Sequence, residues 1–191
     1  YRLPIMMERE WEANLAEAQG NEIKQAPFNL STPRSTCPKC QHAIRWYENI
    51  PVISYLLLGG KCSSCKTSIS LRYPAIELLT AILSAIVIYT VGFNYYGFAA
   101  VLFTWVLISL TFIDIDHQLL PDRLTLPLLW FGLLVNTQDS FTSLESAVWG
   151  AALGYLSLWS VYWLFKLITG KEGMGYGDFK LLAALGAWCG A

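Results

Sequence analysis

Two aspartates in this sequence stand where carboxylates are costly. Asp114 closes one apolar run, and Asp178 follows Gly175-Tyr176-Gly177 at the start of another. An ionisable side chain at membrane depth is expensive to keep there, so its presence points to function, and two of them point to an acid/base pair. Carboxylates held close cannot both ionise cheaply; they share a proton and titrate together. Such a pair suits peptide hydrolysis, because the ionised member takes a proton from water while the protonated member polarises the scissile carbonyl. The glycines ahead of Asp178 leave the main chain open to a substrate backbone or a neighbouring helix. A purely structural reading also exists, with Asp114 ending a helix and Gly-x-Gly-Asp forming a turn that caps the next one. Asp116 and Asp122 compete for the partner role, although Asp116 points away from Asp114 on a helix and Asp122, after Pro121, reads as an N-cap. Glu77 most simply pairs with Arg72, and His117 reads as a solvated loop residue. No Ser or Cys nucleophile has a placed base, and residues 173–180 do not complete a dinucleotide fingerprint.

A second chemistry is written in the cysteines. Cys37-Pro38-Lys39-Cys40 and Cys62-Ser63-Ser64-Cys65 form two C-x2-C knuckles with 21 residues between them. Four thiolates at this spacing are what a tetrahedral Zn2+ site requires, and with no open coordination position such a site is structural. Two disulfides are the competing reading, which a reducing cytoplasm disfavours. Arg34, Lys39, Lys61 and Lys66 stand near enough in sequence to offset the charge of a four-thiolate zinc site. Cys189, in the last apolar run, reads as a small core residue.

The elements that must hold these groups are membrane helices. Of the residues 54% are hydrophobic and 14% charged, against about 25% charged in a soluble domain. A net charge of -1 offers no basic excess for phosphates, so no nucleic-acid partner is expected. Crossing a bilayer takes about 20 apolar residues. Residues 74–93 and 95–113 satisfy that, 124–135 form a shorter third run, 144–168 a fourth, and a fifth starts at 179. Gly150, Ala151, Ala152 and Gly154 would admit a close helix neighbour. Nine of the 13 Lys and Arg residues fall within residues 1–73. Because cytoplasmic segments carry the basic excess, that part is placed in the cytoplasm, and the spans alternate so that Asp114 and Asp178 both emerge at the cytoplasmic border. The chain starts at Tyr1 and stops inside an apolar run, and is read as a fragment. The expected architecture is an all-α polytopic membrane protein: a cytoplasmic zinc-binding domain over 1–73 and a transmembrane helix bundle over 74–191.

With these landmarks in place, the chain resembles the type IV prepilin peptidases, bifunctional leader peptidases and N-methyltransferases among the membrane aspartyl proteases with a Gly-x-Gly-Asp motif. The matching residues are Tyr1-Arg2-Leu3-Pro4, both cysteine knuckles, Arg72-Tyr73-Pro74 with Glu77, Asp114-Ile115-Asp116 leading to Leu120-Pro121-Asp122, and Gly175-Tyr176-Gly177-Asp178. The resemblance implies that Asp114 and Asp178 are the catalytic pair and that Cys37, Cys40, Cys62 and Cys65 hold zinc. It also implies a transmembrane helix before Tyr1 and further helices after Ala191. The implied reaction is cleavage of prepilin and pseudopilin leaders after a glycine at the cytoplasmic face of the bacterial inner membrane, then methylation of the new N-terminus by S-adenosylmethionine. No residue of a methyl-donor site is readable in the sequence. An ion-coupled transporter would spread its acids over several depths, and a zinc-stabilised membrane scaffold would leave both aspartates without a purpose.

Overall fold

The computed structural model describes residues 2–21 and 26–191. Tyr1, which opens the Tyr-Arg-Leu-Pro match, and Lys24, one of the N-terminal cations, lie outside them. Among the described residues the regular structure is helical, with two isolated bridges, Thr36 to Ala43 and Lys61 to Ser68. The expected all-α membrane architecture is what forms. Two compact units divide the chain, the first ending at Leu83 and the second running from Ser84 to Ala191. The sequence-based division at residue 73 follows composition, whereas this one follows contacts and falls inside a helix.

The first unit contains α1 (Arg2–Ala18), a short 3-10 turn (Trp46–Asn49), α2 (Ile53–Leu57) and the start of α3 (Arg72–Val91). Arg2 ties the beginning of α1 to the loop after it, donating to the carbonyls of Asn29 and Pro33 at 3.1 and 2.6 Å. Glu77, on the second turn of α3, accepts the Val52 backbone N–H at 2.8 Å. The acid expected to pair with Arg72 accepts a backbone N–H and fixes the loop that leads into α2.

The second unit contains α4 (Tyr95–His117), α5 (Asp122–Val135), α6 (Leu144–Thr169) and α7 (Tyr176–Cys189). The caps explain the boundaries. Asn94 accepts the Gly97 N–H to start α4, Ser143 accepts the Ser146 N–H to start α6, and Gly170 at φ +69° closes α6 by donating to the Lys166 carbonyl. α3, α4 and α6 are long and apolar enough to cross a membrane. None of the α3 window is buried inside the protein, as suits a helix whose surroundings are lipid.

The third apolar run becomes a shorter helix: α5 has 14 residues, about 21 Å at 1.5 Å per residue, and so falls short of a hydrocarbon core of about 30 Å. α5 and α7 both pack into the core formed by Ala99, Leu110, Leu128, Val135, Ala184 and Trp188. The neighbour anticipated for the small residues of α6 is α7. Gly150 and Gly186 face each other so closely that a Cβ on either would strike the other's backbone. At one end of this bundle Asn136, fully buried, donates to the carbonyls of Ala187 and Trp188 and accepts the N–H groups of Phe141 and Thr142. A buried amide is retained here because every group it presents has a partner.

Candidate active site and metal centre

The opposite end of the second unit carries the acids. α4 runs past the apolar stretch to His117, so Asp114 lies in its last turn and is exposed. The turn ends at Gln118, whose left-handed φ of +49° lets its N–H reach the Asp114 carbonyl at 2.8 Å. Leu119 and Leu120 then lead to Pro121, which is the N-cap of α5 and leaves Asp122 as the first helical residue. That shifts the cap by one from the sequence expectation, because the extended backbone of Pro121 already ends the preceding loop.

α7 meets this segment head on. Gly175 is its N-cap and Asp178 its third residue, half-buried. A Cβ built on Gly177 would lie 2.7 Å from the Leu120 Cβ and 3.3 Å from the Leu120 carbonyl oxygen. The middle residue of Gly-x-Gly-Asp is thus in backbone-level contact with the connection between α4 and α5, which only glycine permits. One turn further on, Lys180 Nζ contacts both oxygens of Asp122 at 2.7 and 2.6 Å. This contact holds Asp122 beside an ammonium group. The side chains of Asp114 and Asp178 make no hydrogen bond or ion pair with another side chain among the described residues. They are brought to the same end of the unit by packing, not by a bond between them.

A further network secures the loop before Gly175. Lys166 Nζ lies 2.9 Å from Glu172 and 3.3 Å from the hydroxyl of Tyr162, which in turn is 3.4 Å from the hydroxyl of Tyr176. Lys166 holds the Glu172 carboxyl below its ordinary range. Tyr162 is buried against Phe179, beside Asp178 in sequence. Only an i, i+4 spacing of Tyr162 and Lys166 hinted at this in the sequence.

In the first unit the two cysteine knuckles are near copies. Cys37 N–H donates to the His42 carbonyl and Cys62 N–H to that of Thr67, while Gln41 and Lys66 take left-handed φ values of +57° and +59° at the matching positions. All four thiols are free, and their sulfurs lie within 4.8 Å of one another, with Cys37–Cys65 at 3.8 Å and Cys40–Cys62 at 4.0 Å. At those separations no pair is joined as a disulfide. They agree with the edge of about 3.8 Å in a tetrahedron of sulfurs 2.3 Å from a central ion. The Thr67 hydroxyl and backbone N–H hold the Cys65 thiol down at about 6, and the N–H groups of Cys40 and Lys39 lower Cys37. Cys40 sits at about 11: its bond from the His42 N–H lowers it, but burial and the three neighbouring sulfurs together win. The chain thus presents a four-sulfur cluster able to hold a metal ion. Glu48 steadies it, accepting the Arg45 N–H at 2.8 Å and lying 3.7 Å from His42 Nε2 of the first knuckle.

Comparison with known proteins matches both units. Residues 1–91 match the model of the bacterial peptidase A24 N-terminal domain, and residues 101–191 match that of the type IV leader peptidase family. The whole chain is 61% identical to a prepilin leader peptidase/N-methyltransferase of Pseudomonas aeruginosa, of which it covers 66%, and 60% identical to one of Dichelobacter nodosus, of which it covers 69%. A third relative of that description, from Neisseria gonorrhoeae, is 52% identical, with 68% of its length covered. The chain belongs to the type IV leader peptidase family. It spans about two thirds of the length of these relatives. No solved structure matches it.

Proposed function

We propose that this chain carries the catalytic part of a membrane aspartyl endopeptidase of the bacterial inner membrane. Its substrates are prepilins and pseudopilins, cleaved after glycine at the cytoplasmic border, and it then methylates the new N-terminal residue with S-adenosylmethionine. The catalytic groups are Asp114 and Asp178. The observation that carries this reading is the contact of Gly177 with Leu120, which holds the start of α7 against the segment leaving Asp114. In the reaction the ionised carboxylate takes a proton from the attacking water while the protonated one donates to the carbonyl oxygen; as the C–N bond then breaks, the proton taken from water passes to the leaving amine and the carbonyl proton returns to the second carboxylate. The Asp122–Lys180 pair supports the same choice, because an acid held by a neighbouring ammonium is a poor partner for sharing a proton. Basic residues of the N-terminal part, with Arg123, Lys166, Lys171 and Lys180 at the acidic end of the second unit, favour a cytoplasmic orientation of that end.

Zn2+ is the ion that four thiolates at these separations suit, with Cys37, Cys40, Cys62 and Cys65 as its ligands and order of the knuckles as its contribution. We assign the polar part up to residue 73 to the cytoplasm and residues 74–191 to the peptidase bundle. The relatives' description as N-methyltransferases supports the second activity, and the N-terminal domain, or its junction with the membrane near Glu77, is the candidate for its donor site. The test is incubation of the full-length protein with a prepilin-like peptide. Asp114→Asn and Asp178→Asn are each expected to abolish the shortened product, with no further loss in the double variant. Cleavage at the wild-type rate by either variant would refute the assignment.

A further inference from the structure

Helix α2 presents an apolar face that nothing in the first unit covers. Ile53, Leu56 and Leu57, spaced i, i+3, i+4, are 55%, 71% and 82% exposed, so they form one stripe on the helix. The surroundings of that stripe follow from one hydrogen bond. Val52, the residue before α2, donates its N–H to Glu77. Glu77 is the sixth residue of α3, a helix long and apolar enough to span a membrane. At 1.5 Å per residue it lies roughly 8 Å along the helix from Arg72, within the 5–10 Å depth to which interfacial helices sink. With Arg72 at the surface of a bilayer crossed by α3, this bond would set the start of α2 at the level of the headgroup and acyl boundary. Leu71 and Tyr73, at the entry to α3, are likewise exposed, as is Trp46 on the turn that packs beside α2. Charge agrees with this placement. The cavity that Trp46 borders is lined by Arg2, Arg34 and Arg45 and by no acidic side chain.

We propose that α2 is an interfacial membrane anchor, with Ile53, Leu56 and Leu57 buried in lipid and the arginine-lined cavity beside Trp46 taking an anionic phospholipid headgroup. This rests on α3 crossing the bilayer, and it is independent of which acids cleave the substrate. The anchor would hold the cysteine knuckles against the membrane surface, where a leader peptide must arrive.

The test places a benzophenone amino acid at Leu57 of the full-length protein in vesicles of phosphatidylethanolamine with phosphatidylglycerol, followed by irradiation and mass analysis. Bound zinc and prepilin cleavage by the labelled protein report that it remains folded. The expected product carries one phospholipid, and its yield falls several-fold when phosphatidylglycerol is replaced by phosphatidylcholine or when Arg34 and Arg45 are changed to Gln. Adducts to protein, whether a second copy or another segment of the same chain, would overturn the anchor, as would the absence of any lipid adduct. A yield indifferent to both the anionic lipid and the arginines would overturn the headgroup assignment.

Discussion

Gly177→Ala is the perturbation that bears most directly on how the acids are positioned. The added methyl would sit 2.7 Å from the Leu120 Cβ, whereas carbon atoms rest at about 3.5–4.0 Å. Relief therefore needs a shift of about 1 Å. Leu120 cannot supply it by changing rotamer, because Cβ is fixed by the main chain and Pro121 restricts that main chain on its far side. The first turn of α7 has to move instead, taking the next residue, Asp178, away from the segment that follows Asp114. A displacement near 1 Å at a reacting group costs roughly 100-fold in rate, while overpacking at one site costs about 1–3 kcal/mol of stability. Gly175→Ala is the matched control. There the nearest atom is Asp178 Oδ2 at 3.7 Å, an ordinary contact, and φ is -79°, open to alanine. It loses only capping preference, about 1 kcal/mol or roughly five-fold. Initial rates of prepilin cleavage in detergent, with zinc content and thermal unfolding followed in parallel, distinguish the two. Equal losses at both glycines, or a nearly wild-type Gly177→Ala, would refute the claim that this contact positions Asp178.

Other outcomes follow from neighbouring contacts. Asp122→Asn should slow cleavage by no more than about five-fold, since a half-exposed ion pair contributes about 1 kcal/mol at most; abolition of cleavage there would move Asp122 into the catalytic pair. Purified protein should contain about one zinc per chain, and Cys62→Ser should release it and raise protease sensitivity over residues 30–70 more than it lowers cleavage, read by metal analysis and limited proteolysis. Asn136→Leu should lower thermal stability by several degrees, because four backbone groups lose their partner at a cost of about 1–3 kcal/mol each for those left dry. A pre-cleaved pilin should still be methylated by Asp178→Asn protein, measured as methyl transfer from labelled S-adenosylmethionine; loss of that transfer would mean the two chemistries share a site.

What the sequence made legible is what depends on composition and short spacing. The three long helices, the knuckles and the cluster of four sulfurs could be read because each is specified within about 30 consecutive residues or by a repeated short pattern. The helix ends of α4 and α7 were less so. The apolar run stops at Ile113, yet α4 continues through Asp116 to His117, because once a helix reaches water its polar residues extend it at little cost. The pairing of Lys180 with Asp122 joins residues 58 apart and depends on the direction in which α7 enters. Gly177 shows the limit most clearly. Its motif announced that a close approach was needed, but the partner, Leu120, is an ordinary leucine in a loop, and nothing in its type marks it out. Leu120 thereby acquires a role that the motif alone would never assign, as the surface that sets where Asp178 stands. Leu120→Ala keeps the Cβ that meets Gly177, so it should retain most cleavage while losing packing against the core. Leu120→Gly removes that surface, and should lose cleavage out of proportion to its loss of stability. If the two variants instead lost activity in step with stability, Leu120 would be a core residue only, and the alignment of the acids would have to come from elsewhere in α7.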